Sequence, residues 1–218
     1  MFRQNLQHTG TTPEAVVPPL VKLWSYKTGA QEPTKSQMPS PAVLGGRLYI
    51  GGSNLNDYNL YALNATTGAK VWSFKTDGHI SSSPTVSGDI VYIQSADTNV
   101  YALDATTGTK VWNFTLGGGG NPEISSSPAV SDGYVYVGAS DGLYALNATT
   151  GAKIWSFNIG TDIYSSPAVS DGIVYVGTHD NNVYALNATT GAKVWSYKTG
   201  SLIFSSPAIS GGDSLHRI

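Results

Sequence analysis

The sequence predicts an all-β fold made of repeated four-stranded sheets, and three observations carry that expectation. A segment YAL[ND]ATTG starts at Tyr61, Tyr101, Tyr144 and Tyr184, at spacings of 40, 43 and 40 residues. A tryptophan follows the alanine of each segment by ten residues, at Trp72, Trp112, Trp155 and Trp195, and a fifth stands at Trp24. Ser-Pro pairs keep the same period, at Ser40-Pro41, Ser83-Pro84, Ser127-Pro128, Ser166-Pro167 and Ser206-Pro207. Self-similarity at a fixed period of this length is the signature of a repeat architecture.

The fourth unit shows the elements in order. SSPAVS is a short apolar run, Asp171-Gly172 a turn, IVYVGTH a second run, and Asp180-Asn181-Asn182 a second turn. VYALN, ATTG and AKVWSYK complete the unit as run, turn and run. Val, Ile, Tyr and Trp favour strands, whereas Asp, Asn and Gly tolerate the backbone of hairpin turns. The unit therefore reads as a four-stranded antiparallel meander. In its second run Ile173 and Tyr175 point one way and Val174 and Val176 the other, so both faces are apolar and both need cover. The last run alternates, with Trp195 and Tyr197 on one face and Ser196 and Lys198 on the other, as an outer strand half in water would. A meander that needs neighbours on both faces is a β-propeller blade. Helical repeats of similar period are excluded by the β-branched alternation and the regular Gly-rich turns.

Laid along the chain, this gives a lead-in over 1–22 and propeller repeats over 23–210, then a tail over 211–218. Complete blades are expected near 39–77, 82–117, 126–160 and 165–200. Partial blades flank them: an outer strand from Leu23 to Lys27 and an inner strand SSPAIS before the pattern ends in GGDSLHRI. An outer and an inner strand are not neighbours in a blade, so the two cannot seal the ring between them. Unsealed edges invite self-association, which makes a homo-oligomer one expectation and a piece of a longer propeller the other.

Composition narrows the function. Charged residues make up 12% of the chain and the net charge is −2, which leaves no basic stripe for a phosphate backbone, so no nucleic-acid partner is expected. There is no cysteine, which excludes disulfides, Cys-based zinc sites and thiol nucleophiles. No apolar run approaches the ~20 residues of a membrane helix. MFRQNLQHTGTTPE has one Arg and no apolar core, so no secretory signal is expected in it. His8, His79, His179 and His216 show no metal-ligand spacing, and no Gly-x-Ser-x-Gly elbow exists. The glycines at 117–120 lack the Lys and helix of a phosphate loop and read as an inter-blade loop. Asp-Thr-Asn at 97–99, Asp-Gly at 141–142 and His-Asp-Asn-Asn at 179–182 could suggest calcium, but they fall at the second hairpin turn of their units, where turn chemistry explains them. Asn64, Asn113, Asn147 and Asn187 head Asn-x-Thr sequons, three of which are the repeated turn itself.

The ALNATTGAKVW segment resembles the tryptophan-docking motif of the pyrroloquinoline-quinone-like propellers, a family of quinoproteins and outer-membrane assembly lipoproteins. The matches are Ala62, Asn64, Gly68 and Trp72, then Ala102, Asp104, Gly108 and Trp112. Ala145, Asn147, Gly151 and Trp155, then Ala185, Asn187, Gly191 and Trp195, complete the set. The family's Asp is Asn in three units, which keeps a side-chain acceptor for the turn and drops its charge. The resemblance implies that Trp24, Trp72, Trp112, Trp155 and Trp195 are structural, each packing on the next blade. A buried indole contributes roughly 2–3 kcal/mol there. The quinone enzymes of the superfamily use adjacent cysteines, a calcium site of Glu, Asn and Asp, and an Asp base. Without cysteine, and with only Glu14, Glu32 and Glu123 as glutamates, this chain is expected to be no enzyme, with no catalytic residue, cofactor or metal.

What varies between units is the stretch between blades: GAQEPTKSQM, DGHI, GGGGNPEI, GTDIY and GSLIF. These loops share one face with the second hairpin turns, and variable loops on a constant scaffold are where specificity resides. His79, Glu123, Tyr164, His179 and Phe204 are the candidate contacts for a protein or carbohydrate partner. The expected function is a noncatalytic binding or scaffold propeller, extracytoplasmic by family resemblance. The rivals are a fragment of a quinone- and calcium-dependent oxidoreductase and a truncated product without independent function.

Overall fold

A computed structural model describes residues 21–28, 39–52, 57–118 and 126–209. The fold is all-β, and no helix among the described residues is long and apolar enough to cross a membrane. Blade 1 holds β1 (Ala42–Leu44), β2 (Arg47–Gly51), β3 (Asn59–Asn64) and β4 (Lys70–Lys75). Blade 2 holds β5 (Thr85–Ser87), β6 (Ile90–Gln94), β7 (Asn99–Asp104) and β8 (Lys110–Thr115). Blade 3 holds β9 (Ala129–Ser131), β10 (Tyr134–Gly138), β11 (Gly142–Asn147) and β12 (Lys153–Asn158). Blade 4 holds β13 (Ala168–Ser170), β14 (Ile173–Gly177), β15 (Asn182–Asn187) and β16 (Lys193–Lys198). Each is an antiparallel sheet with its strands in chain order.

One register repeats in all four. The alanine of the third strand faces the tryptophan of the fourth, as in Ala62 opposite Trp72, and the next pair, Leu63 with Lys70, skips a residue. This bulge leaves Val71, Val111, Ile154 and Val194 unpaired and exposed while the indole turns inward. The third turn is closed by a side chain: the Asn64 Oδ1 accepts the N–H groups of Thr66 and Thr67 at 3.0 and 2.8 Å. Asp104 accepts the equivalent pair at 2.9 and 2.7 Å, so Asn and Asp serve the turn alike. Hydrogen bonds from the Thr107 amide and hydroxyl hold the Asp104 carboxyl below its ordinary pKa.

The apolar cores lie between blades. Tyr49, Leu60 and Trp72 of blade 1 pack with Val91, Ile93 and Leu103 of blade 2, and equivalent clusters fill the next two junctions. At each junction the indole lies over a glycine of the following blade: Trp24 over Gly68, Trp72 over Gly108, Trp112 over Gly151 and Trp155 over Gly191. These glycines have φ of 71–74°, and a Cβ on any of them would stand 2.6–2.7 Å from the indole. Both backbone conformation and space therefore require glycine. The indole N–H donates to the alanine carbonyl of that turn at 2.9–3.1 Å. The second-strand hydroxyls of Tyr49, Tyr92 and Tyr136 donate to the same carbonyls at 3.0–3.1 Å.

Around the inner edge the Ser-Pro pairs form a ladder. The Ser40 N–H donates to the Ser83 Oγ, Ser83 to Ser127, Ser127 to Ser166, and Ser166 to Ser206, each at 2.9 Å. The four blades make an open arc, and the outward side of blade 4 has no blade against it among the described residues. Two segments expected to be strands are not. Residues 21–28 and 201–209 dock on blades 1 and 4, yet among the described residues neither has a partner strand of its own blade, so no ladder forms there.

The junction yields a paired expectation. Gly108→Ala meets the left-handed backbone cost of about 1–2 kcal/mol and also crowds Trp72, adding about 1–3 kcal/mol. Gly133 has φ 81° and open space where its Cβ would go, so Gly133→Ala meets only the backbone cost, about 1–2 kcal/mol. Urea denaturation of the two variants should separate them in that order.

Candidate functional site on the loop face

The two rims of the arc are built differently. On one rim the first and third turns are tied together, with the Ala65, Ala105, Ala148 and Ala188 N–H groups donating to Gly46, Asp89, Gly133 and Gly172 carbonyls at 2.8–2.9 Å. On the other rim the inter-blade loops meet the second turns. Three of these loops are anchored by an isoleucine in the notch of a second-strand glycine: Ile80 on Gly51, Ile163 on Gly138 and Ile203 on Gly177. The carbonyl ahead of the isoleucine then reaches the next blade. The Ala96 N–H donates to His79 O at 2.9 Å and the His179 N–H to Asp162 O at 3.4 Å.

The second turns are held by an aspartate and a tyrosine. The Tyr61 hydroxyl donates to Asp57 at 3.1 Å, Tyr101 to Asp97 and Tyr144 to Asp141 at 2.8 Å, and Tyr184 to Asp180 at 2.6 Å. Asp97 and Asp180 also accept the N–H groups of Asn99 and Asn182, closing Asx turns that carry Thr98 and Asn181 at φ 70° and 68°. The Thr178 hydroxyl adds a further bond to Asp180. Burial and, next, the neighbouring carboxylate push the phenol pKa of Tyr61 up to about 12. Burial and the Asp180 carboxylate do the same for Tyr184, also to about 12. Tyr101 and Tyr144 are raised for the same reasons. Burial opposes ionisation of Asp180, but bonds from Thr178, Tyr184 and Asn182 outweigh it and hold the carboxyl below its ordinary value. These aspartates are committed to the turns.

On that scaffold three of the sequence candidates come together. Tyr164 of the blade 3–4 loop stacks on His179 of the blade 4 turn, with ring centroids 4.5 Å apart and planes 22° apart. Phe204 meets His179 edge-on at 4.5 Å and Tyr164 at 5.6 Å. Phe204 is 61% exposed. The buried His179 Nε2 has no hydrogen-bond partner among the described residues. His79 stands on the same rim in the blade 1–2 loop, outside this trio, and Glu123 lies outside the described residues. The Asp–Tyr locks escaped the sequence reading, although the spacing from Asp57 to Tyr61, repeated from Asp97 to Tyr101 and Asp180 to Tyr184, was there to find.

Comparison with known proteins follows from this geometry. The family model described as outer membrane protein assembly factor BamB matches residues 21–128 and again residues 100–214. The chain belongs to the BamB family. BamB from Moraxella catarrhalis superposes with a TM-score of 0.65 at 24% identity, over 74% of this chain and 52% of that one. The quinohemoprotein alcohol dehydrogenase ADHIIG from Pseudomonas putida HK5 superposes with a TM-score of 0.63 at 20% identity, over 76% of this chain and 35% of that one. The computationally designed Ika8 protein gives a TM-score of 0.66 at 19% identity, over 78% and 52%. The chain thus spans about half of BamB and about a third of the dehydrogenase. No curated protein matches it at a significant level.

The quinone and calcium that the resemblance to the quinone enzymes implies do not fit the described residues. Among the described residues no three His, Asp or Glu side chains converge to hold a cation, and the sequence has no cysteine to flank a quinone. The second-turn aspartates, the nearest approach to a donor set, already accept tyrosine hydroxyls.

The raised phenols fix a pH dependence. A folded pKa above the ordinary value of about 10 means that the protonated hydroxyl stabilises the fold fully below pH 10, and that this contribution is lost as pH rises through about 12. The urea midpoint should therefore fall between those limits, and a Tyr61→Phe, Tyr184→Phe variant should show a shallower fall.

Proposed function

We propose that this chain is a noncatalytic, extracytoplasmic propeller module that binds a protein partner through its loop face. The observation that carries the reading is the trio of Tyr164, His179 and Phe204, an exposed aromatic shelf beside an unsatisfied buried nitrogen. Such a shelf, with Phe204 61% exposed, suits an apolar side chain of a peptide segment. The scaffold beneath is held by the Asp141–Tyr144 and Asp180–Tyr184 locks and by the Ile163 and Ile203 anchors. The family's description, an outer membrane protein assembly factor, supports a protein partner and a location in the cell envelope.

Selection of displayed random peptides on the purified chain tests this. Aromatic or aliphatic peptides should be enriched, and a Tyr164→Ser, Phe204→Ser variant should bind them at least tenfold more weakly with its circular dichroism unchanged. Equal binding by the variant overturns the loop-face reading. Dye-coupled alcohol oxidation after addition of pyrroloquinoline quinone and Ca²⁺ overturns the noncatalytic one.

A further inference from the structure

Each internal junction joins a fixed set of donor groups to a fixed set of acceptors. The donors are the tryptophan, the second-strand tyrosine and the outer aromatic two residues past the tryptophan. The acceptors are the alanine carbonyl, the glycine under the indole and the third-strand tyrosine. Phe74 packs on Tyr101, Phe114 on Tyr144 and Phe157 on Tyr184, at centroid distances of 5.4–6.0 Å.

Blade 4 carries the complete donor set with no blade against it among the described residues, only the segment 201–209 at its inner edge. Tyr175 and Trp195 stand 5.9 Å apart at 50°, against 5.8–5.9 Å and 44–48° for the three pairs inside junctions. Trp195 is 37% exposed where Trp72, Trp112 and Trp155 are 8–9% exposed, and Tyr197 is 57% exposed. Beside them opens a cavity of about 690 Å³ that reaches Ile203 and Pro207. The surface keeps its docking geometry before anything occupies it.

The acceptor set of blade 1 is covered by a lone segment. Trp24 lies over Gly68 and bonds the Ala65 carbonyl, while Tyr26 packs on Tyr61 at 5.6 Å. This segment reads WSYKTG at 24–29, and the outer strand of blade 4 reads WSYKTG at 195–200. Blade 1 therefore already accepts the residues that blade 4 leaves uncovered. The same holds on the inner edge. Ser206-Pro207-Ala208-Ile209 extends the serine ladder from blade 4, and the sequence at the start of blade 1 is Ser40-Pro41-Ala42-Val43. Each lone segment stands in for a strand at the opposite end of the molecule.

We propose that two copies of the 218-residue chain dock head to tail, the Trp195 face of each on the Ala65–Gly68 turn of the other. In each junction β16 replaces residues 24–28 and β1 replaces residues 205–209. Two such junctions related by a two-fold axis close one ring of eight blades, with no edge left open. The size is consistent, since the part of this chain that superposes on BamB spans 52% of that protein. The exchange favours docking because a lone segment without a ladder gives way to a strand backed by a whole blade.

Sedimentation equilibrium of the 218-residue chain tests the proposal. A reversible species of twice the chain mass is expected. Trp195→Ala should weaken dimerisation at least tenfold, whereas Trp24→Ala, which frees the acceptor turn, should strengthen it. These opposite signs distinguish docking from nonspecific adhesion, and circular dichroism checks that each variant is folded. A monomer at every concentration, a mass that grows without limit, or a dimer indifferent to Trp195→Ala overturns the proposal.

Discussion

The structure depends on one contact, an indole closing over a left-handed glycine while its N–H and a tyrosine hydroxyl share a single alanine carbonyl. A blade alone is a sheet with two apolar faces and little means of staying folded. The indole seals one of those faces, and the shared carbonyl gives its polar edge and the tyrosine hydroxyl an acceptor inside an apolar junction. The bulge after each third-strand alanine turns the tryptophan inward, and the Asx turn shapes the glycine to receive it. Register, turn and core therefore act as one device, repeated at a period near forty residues.

Much of this was legible in the sequence because it is local and periodic. The YAL[ND]ATTG segments with their tryptophans predicted the blades, and the all-β propeller class holds. What was not legible is of two kinds. Leu23–Lys27 and the SSPAIS segment have the residues of strands, but a strand exists only against a neighbour, and their neighbours are absent among the described residues. Tyr164, His179 and Phe204 were singled out separately, yet their stacking depends on three loops at blade 4 being brought to one point. The serine ladder links residues about forty positions apart through backbone donors, which no local pattern announces.

The two rims divide the labour. Where first and third turns meet, the same backbone bond recurs in all four blades and ties the two turns together. Where inter-blade loops meet second turns, the isoleucine anchors and Asp–Tyr locks recur while the residues between them differ. A surface that varies over a constant frame can change what it touches without changing what holds it up. On that rim the aspartates are committed to the turns, while Phe204 stands exposed against Tyr164 and His179.

Blade 2 breaks the repetition at one buried point. Where the other second strands end in Gly51, Gly138 and Gly177, this one ends in Gln94, whose amide N–H donates to the Gly138 carbonyl of blade 3 at 3.2 Å while its Oε1 finds no partner among the described residues. Near-identical modules carry a hazard of misassembly, because a nascent blade can pair with the wrong sibling almost as well as with the right one. A single long polar side chain bonded across the central seam makes that junction chemically unlike its siblings, and such local differences are what a chain of near-copies has to favour one order of blades.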